Sequence, residues 1–216
     1  MPVKLFSACV LFLLVAACTP TSPNIPETQI VRVYATPATH PWLREVFACA
    51  PAGMAIRVAQ SPVAADITLR LGEPDFVPAS VYQIGTDEIL IVTHRQRPVQ
   101  TMTVDEVREL FAGQGDSSVQ VWVYAPGEDV QRVFEQAVMD GRSVTSLARL
   151  ATSPQHVSDI MSNDPNAIGI LPRQWTAGDM RFVYTIPDVP VLALLKEEPR
   201  GALQDILSCM QTQLAE

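Results

Sequence analysis

The chain has 216 residues, which is enough for one large domain or for two smaller lobes that each bury a core. Hydrophobic residues make up 48% and charged residues 18% of the chain, and this balance excludes a wholly disordered protein. The net charge of −8 argues against a nucleic-acid partner, because binding to phosphates requires a basic face.

The first residues have the composition of an export signal. Lys4 is the one charged side chain among residues 1–17, and the apolar run 5–15 has the length of a signal-peptide core, too short to span a bilayer. The run ends in Val15-Ala16-Ala17-Cys18, which resembles a bacterial lipobox. The resemblance implies removal of residues 1–17, lipidation of Cys18 and anchoring to the outer face of the cell membrane. The alternatives are an ordinary secretory signal and a buried N-terminal helix.

Residues 18–27 contain three prolines and no hydrophobic periodicity, so they predict a loose tether between the anchor and the folded body.

The remaining cysteines predict a disulfide. Cys9 leaves with the signal and Cys18 would carry lipid, which leaves Cys49 and Cys209 in an oxidising compartment. We predict that these two are bonded; the alternative is two buried thiols that act as small apolar residues.

Strands and helices alternate from residue 29 onwards, which predicts the α/β class. In the first half, strands are expected at 29–35, 54–59, 66–71, 81–85 and 89–93. A turn at 36–41 leads into a helix whose predicted apolar face contains Leu43, Val46, Phe47 and Ala50. A strand, a helix and a second strand in succession indicate a right-handed crossover and a parallel pair.

The stretch from Asp87 to Gly115 has the clearest local signals. Thr103 and Glu106 have the spacing of a capping box, and Met102 is placed to pack on Val107 as a hydrophobic staple. Gly113 supplies a left-handed stop at the other end of this helix.

The second half continues the alternation. A strand at 119–124 is followed by a turn and by the most regular helical pattern of the chain, with Val130, Val133, Phe134, Ala137 and Val138 on one face. Ser153-Pro154 begins another helix with an N-cap and a first-turn proline. Strands at 167–172, 180–186 and 189–195 and an amphipathic helix at 202–214 complete the predicted elements.

Three segments in this order resemble the type 2 periplasmic binding protein fold, and most of all its phosphate-binding branch. The first is the strand at 89–93 with the linker and the helix T-V-D-E-V-R-E-L-F-A-G; the second is V-Q-V-W-V-Y with its following turn and helix. The third is S-P-Q-H-V-S-D-I-M-S-N-D-P-N-A-I-G-I-L-P. The match spans most of residues 28–214 and implies mixed sheets flanked by helices, with a hinge of two crossing strands between two lobes.

The resemblance implies that residues 28–92 plus 187–216 form lobe 1 and residues 93–186 form lobe 2, with a ligand in the cleft between them. A disulfide between Cys49 and Cys209 agrees with this division, since both cysteines fall in lobe 1.

Two helix-start loops are the candidate ligand contacts. Phosphate-binding relatives hold their anion on helix N-termini and hydroxyls, with a Ser-Gly-Thr type segment after the first strand of the second lobe. This chain has Gly127, Glu128 and Asp129 there, and two carboxylates would oppose a bound dianion. The other loop keeps Thr36, Thr39 and His40. The ligand class therefore stays open: an anion, a cation, a neutral solute or none.

Each of these contacts has a simpler alternative. Glu128 and Asp129 are equally expected if they only stabilise the first turn of a helix. Thr39 fits an N-cap better than a ligand contact. Trp175 lies in a loop after Pro172 and is a further candidate for the cleft.

No motif nominates an enzyme. His40, His94 and His156 lack the spacing of a zinc site, and neither a phosphate loop, a dinucleotide fingerprint nor a nucleophile elbow is present, so no metal and no cofactor are expected. The sequence therefore predicts a monomeric, lipid-anchored solute-binding protein that serves an ABC transporter permease. The alternative is a surface lipoprotein that uses the same fold as an interaction or sensory module.

Overall fold

The computed structural model describes residues 28–74 and 80–213. The predicted signal peptide, Cys18, the tether and Leu214 lie outside these residues, so what was expected of them stays a prediction. Among the residues that are described, no helix is long and apolar enough to cross a membrane.

A single mixed sheet of eight strands runs through the described part of the chain. The strands are β1 (Gln29–Ala35), β2 (Met54–Val58), β3 (Ile67–Leu71), β4 (Ser80–His94), β5 (Gln120–Val123), β6 (Arg149–Leu150), β7 (Ala167–Pro172) and β8 (Met180–Leu195). Their order across the sheet is β2-β1-β3-β8-β4-β7-β5-β6. β1 pairs in parallel with β2 and with β3, as the crossover predicted.

Five α-helices accompany the described strands. They are α1 (Leu43–Ala48), α2 (Val104–Phe111), α3 (Asp129–Phe134), α4 (Pro154–Asn163) and α5 (Ala202–Gln213). The buried faces of these helices and of the sheet form one continuous apolar core, in which Phe111 of α2 and Phe134 of α3 meet with their ring centroids 4.6 Å apart. The α/β class is confirmed.

Two long antiparallel strands, β4 and β8, join the two ends of the sheet. The sequence predicted that each of these would be two shorter strands, with breaks at residues 86–88 and at residues 187–188, and this prediction was wrong. The two apparent breaks lie opposite each other, and the ladder passes them through a register shift between Asp87 and Ile89. Asp188 takes a left-handed φ of 53° at this place. β3 pairs with the end of β8, while β7 pairs with the end of β4, so both long strands serve both halves of the sheet.

Helix α2 begins and ends as predicted. The Thr103 hydroxyl accepts a hydrogen bond from the Glu106 amide at 3.3 Å, and the Glu106 carboxylate accepts one from the Thr103 amide at 2.7 Å. Gly113 follows the helix with a φ of 82°. This capping box satisfies two amides that the first helical turn would otherwise leave without partners.

Two predicted apolar faces were wrong in detail. Phe47 is 49% exposed, whereas Val46 is buried as predicted and Cys49, just beyond the six-residue helix α1, is buried in place of Phe47. Ala137 is exposed, because residues 135–139 form a π-helical turn that follows α3. The wider turn changes which residues face the core, so that Met139 is buried beside Val138.

The predicted disulfide is present. Cys49 follows α1 and Cys209 lies in α5, and their Cα atoms are 5.7 Å apart. The bond joins residues that are 160 positions apart in the sequence, and so it ties the first and last described helices together.

Candidate ligand-binding site

The two helix-start loops singled out in the sequence meet in the structure. Thr36 follows β1, and Asp129 is the first residue of α3, shortly after β5. The Thr36 hydroxyl donates a hydrogen bond to Asp129 Oδ2 at a distance of 2.6 Å. The two loops are therefore in direct contact, through the Thr36 hydroxyl and the Asp129 carboxylate.

Asp129 makes a further contact across the same gap. The backbone amide of Leu71, the last residue of β3, donates to the same Oδ2 atom at 2.8 Å. The other oxygen, Oδ1, accepts from the Val130 amide at 2.9 Å. The residue is 3% exposed. Its role is therefore wider than the stabilisation of its own helical turn, because its carboxylate bridges three segments of the chain.

A close approach of backbone to side chain makes this bridge possible. Gly72, which follows Leu71, has a φ of 64°, and a Cβ atom there would lie 2.5 Å from Cγ2 of Val133 in α3. Only glycine adopts this backbone conformation without strain and leaves room for the helix. A side chain at position 72 would push α3 away from the end of β3.

Thr39 supports the bridge from behind. Its hydroxyl lies 3.0 Å from the Thr36 hydroxyl and 3.1 Å from the Leu69 carbonyl, and the residue is fully buried. Thr36 gives its proton to Asp129, and the single proton of the Thr39 hydroxyl is placed between the Leu69 carbonyl and the Thr36 hydroxyl. Thr39 holds the predicted N-cap position of the 3-10 turn at His40–Trp42, but its side chain makes no capping hydrogen bond there.

The neighbourhood of the bridge is electrostatically negative. Burial raises the pKa of Tyr34, and the charges of Glu128 and Asp129 raise it further. Burial likewise raises the pKa of Glu128, and the Asp129 carboxylate adds to this effect. The pKa of Tyr124 lies well above its ordinary value for the same reasons, burial first and the two carboxylates after it. An added negative charge would be opposed here.

A cavity of about 440 Å³ adjoins the bridge. Its lining includes Tyr34, Thr36, Thr68, Arg70, Gly127, Glu128, Asp129 and Lys196. Acidic side chains come from the start of α3 and, with Asp66, from the residue before β3, while Arg70 and Lys196 bring positive charge from β3 and from the end of β8. The volume suits a small molecule, and the two kinds of charge favour one that carries a positive group towards Glu128.

Of the remaining candidates, one lines the cavity and two do not. Gly127 lines it with a φ of 97°, whereas His40 is exposed and is not among the lining residues. The Trp175 indole donates to the Ala38 carbonyl at 2.8 Å, so it contacts the loop after β1 without lining this cavity. Whether any of these residues holds a ligand stays a prediction.

Sequence reasoning missed several contributors to this region, among them the Leu71 amide, Thr68 and Arg70. The Leu71 amide carries no signal in the sequence, since its role depends on the place of a backbone group. Thr68 and Arg70 could have been found, because they alternate with the buried Ile67, Leu69 and Leu71 in β3 and so must lie on the opposite face of the strand. Within residues 28–74 and 80–213, no group of three or more histidine, cysteine, aspartate or glutamate side chains is placed to hold a metal ion.

Several solved structures share this architecture. A protein from Clostridium perfringens with bound phosphate, assigned as a phosphate ABC transporter substrate-binding protein, superposes with a TM-score of 0.68 at 13% identity and covers 84% of this chain and 93% of its own. An ABC-type phosphate transport receptor from Vibrio cholerae gives 0.61 at 11% identity, over 86% of this chain and 95% of its own. The chain has the type 2 periplasmic binding protein fold.

The same fold also occurs in regulatory proteins. The regulatory domain of CcmR from Synechocystis PCC6803, in complex with 2-PG, superposes with a TM-score of 0.62 at 11% identity and covers 86% of this chain and 97% of its own. No protein-family model matches the chain, and no curated protein matches it in sequence. The likeness therefore establishes the two-lobed fold, which binding proteins and regulatory domains share.

Proposed function

We propose that this protein is an extracytoplasmic solute-binding lipoprotein, which captures a small molecule between two lobes and presents it to an ABC transporter permease. The observation that carries the proposal is the cavity of about 440 Å³ beside the contact between Thr36 and Asp129. Structures with this fold include phosphate transport receptors, which supports a binding role. We assign no enzymatic activity and no cofactor.

The proposed lobes supply opposite walls of the cavity. Lobe 1, residues 28–92 plus 187–216, contributes Tyr34, Thr68 and Lys196, while lobe 2, residues 93–186, contributes residues 127–129. The long strands β4 and β8 would carry the two chain crossings between the lobes. A ligand in the cavity would then contact both lobes, which is how a solute stabilises the closed form of such a protein.

A thermal-shift screen tests the binding role. Phosphate, sulfate, amino acids and polyamines are added singly to the mature protein. A solute at a thousandfold excess over its Kd adds about 4 kcal/mol to the free energy of unfolding, which raises the Tm by roughly 8 to 16 °C. Because Glu128 and Asp129 give one wall a negative charge, we expect amine-bearing solutes to stabilise the protein more than inorganic phosphate does.

Two matched variants locate the effect. Thr68→Trp places a large ring in the cavity and should abolish the shift, whereas Thr86→Trp adds the same ring at an exposed position of β4 outside the cavity lining and should keep it. The binding role is rejected if no solute in the screen shifts the Tm. The cavity is rejected as its place if Thr68→Trp keeps the full shift.

The lipid anchor has its own test. Cys18→Ser removes the thiol that would be acylated, so we expect the variant to leave the membrane fraction and appear in the soluble extracytoplasmic fraction. Fractionation of cells that express the two forms measures this directly. Retention of Cys18→Ser in the membrane would place the anchor elsewhere in the chain.

One observation favours the alternative role, an interaction or sensory module on the same fold. The bonds from Thr36 and Leu71 to Asp129 hold the walls of the site together through groups of the chain itself. Regulatory domains with this fold show that it is not confined to transport receptors. A folded protein that responds to no solute would favour this alternative.

A further inference from the structure

We propose that the Asp129 carboxylate occupies the place where an anionic ligand would bind, and that it thereby prevents inorganic oxyanions from binding in the site. The inference concerns the same region as the proposed function, but it does not require that the natural protein binds any solute. It rests on the hydrogen bonds of Asp129, on the segments that supply them and on the adjoining space.

Two donors converge on one carboxylate oxygen. The Thr36 hydroxyl and the Leu71 amide lie 2.6 and 2.8 Å from Asp129 Oδ2. A hydroxyl and a main-chain amide are the kinds of donor that bind the oxygen atoms of phosphate and sulfate without adding charge. A buried amide must find an acceptor, so the Leu71 amide would donate to an oxyanion in place of the carboxylate if the latter were removed.

The donors and the acceptor come from distant segments. Thr36 and Asp129 are 93 positions apart in the sequence, and Leu71 and Asp129 are 58 positions apart. Thr36 follows β1 and Leu71 is the last residue of β3, whereas the carboxylate belongs to α3. Asp129 thus joins two sides of the site in the way that a bound ligand would, but it does so from within the chain.

The contact of this carboxylate with its own helix can be replaced. Glu128 holds the N-cap position of α3 but makes no side-chain cap, and Asp129 follows it as the first helical residue. Its Oδ1 bond to the adjacent Val130 amide is a local contact that a serine hydroxyl could replace. The first position of a helix tolerates small residues. Removal of the carboxylate should therefore remove its bonds to Thr36 and Leu71 and leave the fold intact.

Space for an oxyanion adjoins the bridge. The cavity of about 440 Å³ is lined by Thr36 and Asp129 themselves and by Arg70 and Lys196. Truncation of Asp129 would extend this cavity to the Thr36 hydroxyl and the Leu71 amide. Arg70 and Lys196 would then attract the anion, while Asp66 and Glu128, which also line the cavity, would still oppose it.

Isothermal titration with inorganic phosphate tests the inference. We expect Asp129→Ala to bind phosphate at least about 100-fold more tightly than the natural protein at pH 7, since two charge-assisted hydrogen bonds become available to the ion. Asp129→Ser, whose hydroxyl can replace the contact to Val130, is the second variant and should gain binding too. Glu128→Ala removes a neighbouring negative charge from the cavity lining but releases no donor, so we expect it to gain no more than about tenfold in affinity.

A double variant identifies the donors. Thr36→Val in the Asp129→Ala background should weaken the gained binding by about tenfold or more, since the hydroxyl is lost with little change of volume. The inference is overturned if the natural protein binds phosphate as tightly as the Asp129 variants, if neither folded variant gains affinity, or if Glu128→Ala gains as much. None of these outcomes depends on the natural solute, so a failure of the solute screen leaves this test intact.

Discussion

Replacing Cys49 by serine is expected to lower the free energy of unfolding by about 4 to 5 kcal/mol. The disulfide to Cys209 closes a loop with a sequence separation of 160, so its loss frees a very large part of the unfolded chain. In the chain-entropy account, a loop of this length gives a stabilisation near the upper end of the observed range. The total stability of a domain is about 5 to 15 kcal/mol, so the loss would be a large fraction of it.

Urea unfolding under non-reducing conditions measures this loss. Cys209→Ser and the double variant should match Cys49→Ser, because each of them removes the same bond, and a reductant should lower the stability of the natural protein alone. Equal midpoints for Cys49→Ser and the natural protein without reductant would show that the bond is absent in solution. The described helices α1 and α5 lie at the two ends of the bond, so amides there should lose protection first.

Asp129→Ala is expected to cost about 3 kcal/mol of stability in the absence of any ligand. The substitution removes three hydrogen bonds, at 2.6, 2.8 and 2.9 Å, and leaves the buried Leu71 amide without an acceptor. The loss should show in the unfolding midpoint at pH 7. A saturating concentration of phosphate should return part of it, because the ion restores the acceptor.

Glu128→Ala is the matched control for this variant. Glu128 makes no side-chain cap, and both its burial and its proximity to Asp129 raise the pKa of its carboxyl group, so its negative charge is unfavourable in the folded protein. We expect its removal to change the stability by no more than about 0.5 kcal/mol, or to increase it slightly. Equal losses for the two variants would indicate a general charge effect rather than the bridge at Asp129.

Local signals in the sequence predicted much of the fold. The capping box of Thr103 and Glu106, the left-handed Gly113 and the N-cap at Ser153 depend on neighbours within a few positions, and all three are present. The bond between Cys49 and Cys209 followed from the cysteine count and the oxidising compartment. These features need no knowledge of distant contacts.

Features that depend on distant partners were missed. The strands β4 and β8 continue through their apparent breaks because each faces the break of the other, and neither segment shows this alone. The π-helical turn at Glu135–Met139 changes which residues are buried although the apolar spacing is that of an α-helix. In the site, the two loops were predicted as ligand contacts, but the Leu71 amide, 58 positions from Asp129, decides what the carboxylate does there.

The exchange rate of the Leu71 amide proton tests the central claim most directly. If Asp129 closes the site from within, this amide is protected in the ligand-free natural protein, and it exchanges at least about 100-fold faster in Asp129→Ala. The next amide, that of Gly72, donates to the Pro190 carbonyl at 2.8 Å and serves as the internal control, since its bond does not involve Asp129. Rapid exchange of the Leu71 amide in the natural protein, or a loss of protection that is equal at Leu71 and Gly72, would contradict the account.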